Sequence, residues 1–318
     1  MKKLAIFNVG GALSMYLEHD DQRIIIDLGS GNGFSPVDDF LMPLFRRRGD
    51  GLYIDQLLLS HLDKDHISDF PKFYEKFRFN LMTTPSDNQS MEERFKIKRD
   101  MLSDNEYVDQ VLLVMGERIP GKDSNYPEPN DPLKVYDESY MSLFYLNSEE
   151  CCYLDSISKK SNYANNLSLV LLLRINNYSI LLPGDIMDDG MEKLLEKYPE
   201  FQNRMRDEGL DFLVAPHHGL NTSFPFSLFR AIKGNKTKLN IISEKKGEKE
   251  DSDHRSDIHF GYSNSDYSEG YKIINGLKPR ANSILTSNRL GTHIIIDFDK
   301  VVPIVKRCPS EELLREFS

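Results

Sequence analysis

The chain has 318 residues, 28% of them charged, with a formal net charge of −10, which leaves length for a sizeable core and excludes a protein that coats nucleic acid over its whole surface. Its three cysteines, two of them adjacent (Cys151, Cys152), make neither a disulfide framework nor a zinc ribbon, and a reducing compartment is the simpler reading. No stretch approaches the roughly 20 apolar residues that span a bilayer, and the leader-like opening Met1-Lys2-Lys3-Leu4-Ala5-Ile6-Phe7 is interrupted by Asn8 without a small-residue cleavage site, so a cytoplasmic protein with no membrane partner is expected.

The first strands fall at 4–9 and 23–27, with 12–17 extended between them. Both run into glycine, at Gly10-Gly11 and at Gly29, Gly31 and Gly33, as needed where the backbone passes close to a site. Asp27, closing Ile24-Ile25-Ile26, is an odd residue to leave on a buried strand unless it accepts hydrogen bonds or orients a ligand. Loop and short helix follow over 34–51, where Arg46-Arg47-Arg48 is a candidate phosphate contact. A strand at 53–59 then delivers His61-Leu62-Asp63-Lys64-Asp65-His66, four potential metal ligands within six residues. Two imidazoles and two carboxylates packed this closely would strand their polar groups unless something positive neutralised them, and a divalent cation pair does so. A helix is predicted over 67–77, with Pro71 in its first turn.

Between 80 and 160 the periodicity fades, apart from a mixed-charge helix candidate at 91–99, and four prolines crowd 120–132. This reads as an insertion, part helix and part loop, that covers the site of a single domain spanning 1–318. Core-like sequence returns at 167–175 and 178–182, joined by Asn176-Asn177 as a hairpin turn. The second strand runs into Pro183-Gly184-Asp185. Met191, Leu194, Leu195 and Tyr198, behind Asp188-Asp189, then mark an amphipathic helix. A strand at 211–215 ends in Pro216-His217-His218-Gly219. Three strands thus deliver ligand-type residues to their exits, and in a layered α/β protein such exits are neighbours. Asp185, arriving alone from its own strand, suits the carboxylate that holds two ions together in a dinuclear hydrolytic site.

At these residues the chain resembles the metallo-β-lactamase fold hydrolases. Their His-x-His-x-Asp-His signature appears here as His61 to His66 with aspartate in the second place, a variant similar to the soluble hydrolase domain of DNA-uptake channel proteins of competent bacteria. Asn8-Val9-Gly10-Gly11, Ile26-Asp27-Leu28-Gly29, Asn166-Leu167-Ser168-Leu169-Val170, Leu182-Pro183-Gly184-Asp185-Ile186, Pro216-His217-His218-Gly219 and the weaker Ser287-Asn288-Arg289-Leu290-Gly291-Thr292 follow in the matching order. The resemblance implies an α/β fold, the αββα two-sheet sandwich of metallo-β-lactamase type. It further implies two divalent metal ions, zinc or manganese: His61 and Asp63 on one, Asp65, His66 and His218 on the other, and Asp185 on both. Asp65, Asp185 and His217 would act in catalysis, His217 behind the ligands or against the substrate, with Asp27 and Asn166 supporting the ligands from behind.

One departure stands out, because most members supply a further histidine between the first cluster and the bridging aspartate. This chain has no histidine from 67 to 216. Asn166 occupies roughly that region, and His254, His259 and His293 are the remaining candidates to complete the first ion's ligands. The reaction expected is phosphodiester hydrolysis of DNA or RNA by a water activated between the ions. Arg46 to Arg48, Lys159-Lys160 and the lysines of 233–238 would contact the phosphate backbone. The alternatives are a small-molecule hydrolase, acting on a cyclic nucleotide or a lactone, and a metal-poor binding or scaffold module.

Overall fold

Runs of isoleucine and leucine pair into two sheets because successive residues of each strand face opposite apolar layers. The computed structural model describes residues 1–85, 133–136, 139–158, 161–244, 257–287 and 292–318. Its strands in the first half are β1 (Lys2–Ile6), β2 (Ser14–His19), β3 (Gln22–Leu28), β4 (Tyr53–Leu58), β5 (Arg78–Thr83), β6 (Leu133–Tyr136) and β7 (Ser139–Phe144). Those of the second half are β8 (Val170–Ile175), β9 (Tyr178–Leu182), β10 (Leu210–Val214), β11 (Thr237–Ile242), β12 (Tyr271–Ile274), β13 (Arg280–Ala281), β14 (Ser283–Leu285), β15 (His293–Asp297) and β16 (Ile304–Cys308). A nine-stranded sheet has the order β13-β12-β16-β15-β1-β2-β3-β4-β5, and a seven-stranded sheet the order β14-β11-β10-β9-β8-β7-β6.

Ile24 and Ile26 of β3 pack between the sheets against Leu171, Ile180 and Phe212, while Ile25 points outward to the aromatic layer of Phe40 and Phe45. The period of two explains why these strands read as unbroken apolar runs rather than as alternation. Each fully buried side chain of this kind contributes roughly 1.5–3 kcal/mol before chain entropy is set against it. The helices Met42–Arg48, Phe70–Lys76 and Ser310–Glu316 cover the outer face of the first sheet. Asp188–Lys197, Pro199–Asp207 and Phe226–Ala231 cover that of the second. The result is the αββα sandwich expected from sequence.

The helix predicted over 67–77 divides into Lys64–Ile67 and Phe70–Lys76, with Pro71 in the first turn of the second piece. The Asp69 carboxylate between them accepts from Ser35 Oγ at 2.7 Å and Val37 N–H at 2.9 Å, which fixes the break. Residues 139–157, expected in the insertion, belong to the second sheet and its helical cover. There β7 pairs with β8 from Ser139 opposite Ile175 to Phe144 opposite Val170, and the helix Ser148–Ile157 opens with an Asn147 capping box. The helix candidate at 91–99 and the proline-rich 120–132 lie outside the described residues. Among the described residues no helix is long and apolar enough to cross a membrane.

Candidate metal centre

Parallel pairing of β3 with β4 and of β9 with β10 carries four strand ends to one edge of the sandwich. Three of these four ends, those of β3, β9 and β10, turn through left-handed backbone: Asp27 (φ 57°), Gly184 (φ 59°), His217 (φ 48°) and His218 (φ 55°). For residues other than glycine such geometry costs on the order of 1–3 kcal/mol, and it persists where the surroundings over-determine it. At Gly29 the constraint is one of space, since a Cβ there would lie 1.9 Å from the Asp65 carbonyl oxygen.

Asp185 stands at the centre, 2% exposed. Its Oδ1 lies 3.1 Å from His66 Nε2, and its Oδ2 lies 3.8 Å from both His61 Nε2 and His217 Nε2. His61 Nε2 is also 3.7 Å from Asp63 Oδ2, and His218 Nε2 is 3.3 Å from Asp65 Oδ2. Asp65, His66, Asp185 and His218 each bring one ligand atom to within 4.8 Å of the others. His61 Nε2, His66 Nε2, Asp63 Oδ1 and Asp185 Oδ1 are all buried without a hydrogen-bond partner. A polar atom left so costs about 1–3 kcal/mol, and a divalent cation coordinated by these nitrogens and oxygens removes that cost. The residues therefore fit the metal that the fold implies.

The surroundings fix the imidazole tautomers. Asp27, fully buried, accepts from Ser60 N–H at 2.7 Å and from Ser60 Oγ at 2.8 Å, and its Oδ2 lies 2.9 Å from His66 Nδ1. With the Nδ1 proton held by that carboxylate, Nε2 of His66 is the atom left for a cation beside Asp185. His218 Nδ1 donates in the same way to the Ser243 carbonyl at 3.1 Å, leaving Nε2 toward Asp65. The Asp185 N–H donates to Ser168 Oγ at 3.0 Å. Ser60, Ser168 and Ser243 thus position ligands, though only Ser60 carries a signal in sequence, by adjoining the cluster.

Electrostatics follow this arrangement. Burial opposes ionisation of Asp65, yet the His218 hydrogen bond and the nearby His66 bring its pKa to about 2. Asp185 is opposed by burial as well, and His66 and His218 hold it well below the usual carboxylate range. Despite complete burial, His66 is raised well above the ordinary imidazole value by Asp185 and Asp27 on either side. Burial lowers His217.

Other candidates are placed elsewhere. Asn166 touches no ligand side chain in the hydrogen bonds it makes: its Oδ1 accepts from Met187 N–H at 3.0 Å and its Nδ2 donates to Ser161 Oγ at 2.8 Å, so it holds the segment after Asp185. It is Asn165 that reaches the cluster, with Nδ2 3.5 Å from His217 Nδ1. His259 accepts from Gly261 N–H and stacks on Phe224, ring centroids 3.8 Å apart. His293 is sandwiched near Phe7 and Phe34, accepts from Asn8 N–H at 3.1 Å and faces Ser310 Oγ at 2.9 Å. Neither completes the set, and His254, Lys159 and Lys160 lie outside the described residues.

The basic runs also sit away from the centre. Arg46 to Arg48 end the helix that leads into the start of β4, and Lys233, Lys236 and Lys238 surround the start of β11, whereas the ligands leave strand ends. Arg48 pairs with Glu18 at 3.0 Å, Lys233 Nζ donates to the Asp207 carbonyl at 3.2 Å, and Lys238 Nζ lies 2.6 Å from Asp211. These lysines and Arg48 serve the opposite end of the sandwich.

The sequence model of the metallo-beta-lactamase superfamily matches residues 7–138, which include the His61 to His66 cluster. No curated protein matches the chain. Similar solved structures include a metallo hydrolase from the archaeon Ignicoccus hospitalis, 12% identical, covering 76% of this chain and 82% of its own, with a TM-score of 0.41. The metallo-beta-lactamase fold protein YhfI from Bacillus subtilis is 10% identical over 77% of this chain and 87% of its own, TM-score 0.38. CmlA, a diiron beta-hydroxylase from Streptomyces venezuelae, is 9% identical over 76% of this chain and 44% of its own, TM-score 0.39. Sheet order, helical layers and the matched segment together give this protein a fold of metallo-β-lactamase type.

Proposed function

We propose that this protein is a metal-dependent hydrolase of phosphodiesters, with DNA or RNA as its substrate. The observation that carries the reading is Asp185, whose two oxygens face different histidines from the centre of a ring of carboxylates. Divalent cations bound on either side of it would bring the pKa of a water toward about 7 and neutralise charge on the attacking and leaving oxygens. Asp65, 40% exposed at its side chain and ionised throughout the physiological range, would accept a hydrogen bond from an incoming water. Asp27, through His66, keeps the centre from collapsing into carboxylate–imidazole hydrogen bonds of the wrong tautomer. Coordination rich in oxygen suits manganese as well as zinc.

The nucleic-acid substrate rests on the resemblance of the ordered motifs. A second reading, hydrolysis of a small molecule such as a cyclic nucleotide or a lactone, is favoured by the basic runs sitting at the far end of the sandwich. Single- and double-stranded DNA, RNA, cyclic nucleotides, a lactone and a chromogenic phosphodiester should each be assayed with Mn²⁺ and with Zn²⁺, alongside Asp65→Ala. We expect cleavage of a polymer, with Mn²⁺ at least as effective as Zn²⁺, and affinity falling with salt by nearly one power per phosphate contacted. Turnover of cyclic nucleotides or the lactone alone would move the function to the second reading. Metal-loaded protein inactive on every phosphodiester would sink the proposal.

A further inference from the structure

We propose that His217 is a ligand of the first cation, supplying the nitrogen that the chain lacks between 67 and 216, so that the adjacent histidines 217 and 218 serve one ion each. The inference rests on reading the cluster as a metal centre, and it moves His217 from a role against substrate to one in coordination. His217 Nε2 and His61 Nε2 both lie 3.8 Å from Asp185 Oδ2, and Asp63 Oδ2 is 3.7 Å from His61 Nε2. Metal bonds of about 2.0–2.2 Å set neighbouring donor atoms roughly 3–3.5 Å apart, so His217 and His61 each stand within a few tenths of an ångström of sharing an ion with Asp185 Oδ2, and Asp63 is as close to His61. Across Asp185, the set Asp65, His66 and His218 closes around the other. The cluster then divides evenly: His61 and Asp63 with His217, Asp65 and His66 with His218, and Asp185 between.

Two further observations support this. Consecutive residues on an extended strand would point to opposite faces. Here, left-handed backbone at His217 and His218 (φ 48° and 55°) instead brings both rings to the same cluster, centroids 6.3 Å apart and planes at 59°. Ser223 Oγ, 2.8 Å from His217 Nδ1, can accept the Nδ1 proton while donating to Met187 Sδ at 3.0 Å, the arrangement that leaves Nε2 its lone pair for an ion beside Asp185.

The test is a Co²⁺ titration of the metal-free full chain, read by visible absorption and calorimetry, with elemental analysis of the isolated complex. Asparagine tolerates the left-handed backbone, so His217→Asn removes the imidazole and keeps the turn. We expect wild type to bind two ions, and His217→Asn to retain one while the other weakens by about 100-fold or more. Ser223→Ala should weaken that same ion by about 10 to 100-fold. His218→Asn should lose the opposite ion and keep the absorption band that His217→Asn removes. Two ions with an unchanged spectrum in folded His217→Asn, or an unaltered first ion in Ser223→Ala, overturns the assignment and leaves the metal centre standing. Wild type that takes up no Co²⁺ overturns the metal centre itself.

Discussion

Asp27, next to the last residue of β3, is in left-handed backbone, fully buried, with both oxygens engaged by Ser60 and His66. Asparagine keeps its shape but replaces one acceptor with a donor, so either Ser60 or the His66 Nδ1 proton loses its partner. Asp27→Asn should therefore reduce metal affinity by about 10 to 100-fold while the fold persists. Competition with a chromophoric chelator measures this, and unchanged affinity would make Asp27 an ordinary strand terminus. Single residues of this kind were legible in sequence where the residue type was incongruous, as with a carboxylate closing three isoleucines. Asn165 and Ser243 were not, because an asparagine or serine beside a loop is unremarkable until its partner, 52 residues away for Asn165 and 25 for Ser243, is in place. His217 was legible as a site residue, whereas the left-handed turn that brings its ring to the same cluster as His218 is invisible to sequence spacing.

Among the elements, the strands that lead to the ligands were readable from their apolar runs and glycine exits. β7 was not, because Ser142 interrupts its apolar pattern and is buried only through the hydrogen bond it accepts from Arg204 at 2.9 Å. In β11 the buried Asn240, donating to the Tyr262 carbonyl at 3.0 Å, masks the period in the same way. The β8–β9 hairpin turns at Asn176-Asn177, as the sequence predicts, and its turn does more than reverse the chain. Asn176 Oδ1 accepts from Lys2 Nζ at 3.0 Å and its Nδ2 donates to the Phe298 carbonyl at 2.7 Å, tying the second sheet to the first at the end remote from the metal centre. Asn176→Gly preserves the positive φ of 50° and removes both ties. The expected cost is about 1–2 kcal/mol, seen as a lower urea midpoint with unchanged slope and unchanged metal content. A midpoint equal to that of wild type would show the ties to be incidental.

For the whole molecule, His293 sets a response to acid. It joins the start of β15 to the N-terminal loop and to the C-terminal helix, and burial lowers its pKa from the ordinary 6.5 to about 4. Between those values the unfolded chain takes up a proton that the folded one refuses, so stability rises with pH across that window. The contribution is complete above about 6.5 and is lost as pH falls toward 4. A gap of this size corresponds to about 3 kcal/mol. Urea unfolding of wild type and His293→Gln at pH 5 and pH 7.5 should show a shallower pH dependence in the variant; parallel behaviour would assign the acid response to other groups.

The division of the ligands between sheets has a mechanical consequence. His61, Asp63, Asp65 and His66 follow β4 of one sheet, whereas Asp185, His217 and His218 follow β9 and β10 of the other. The cluster closes only when both leaves contribute, so a cation bound there would act as a rivet through the seam, and its capture would report that the two leaves have docked. Loading at 100 times the dissociation constant should then add about 2.7 kcal/mol to the work of prising them apart. Thermal unfolding with and without a chelator measures that rivet, and identical melting temperatures in protein shown to bind metal would mean that the seam holds without it.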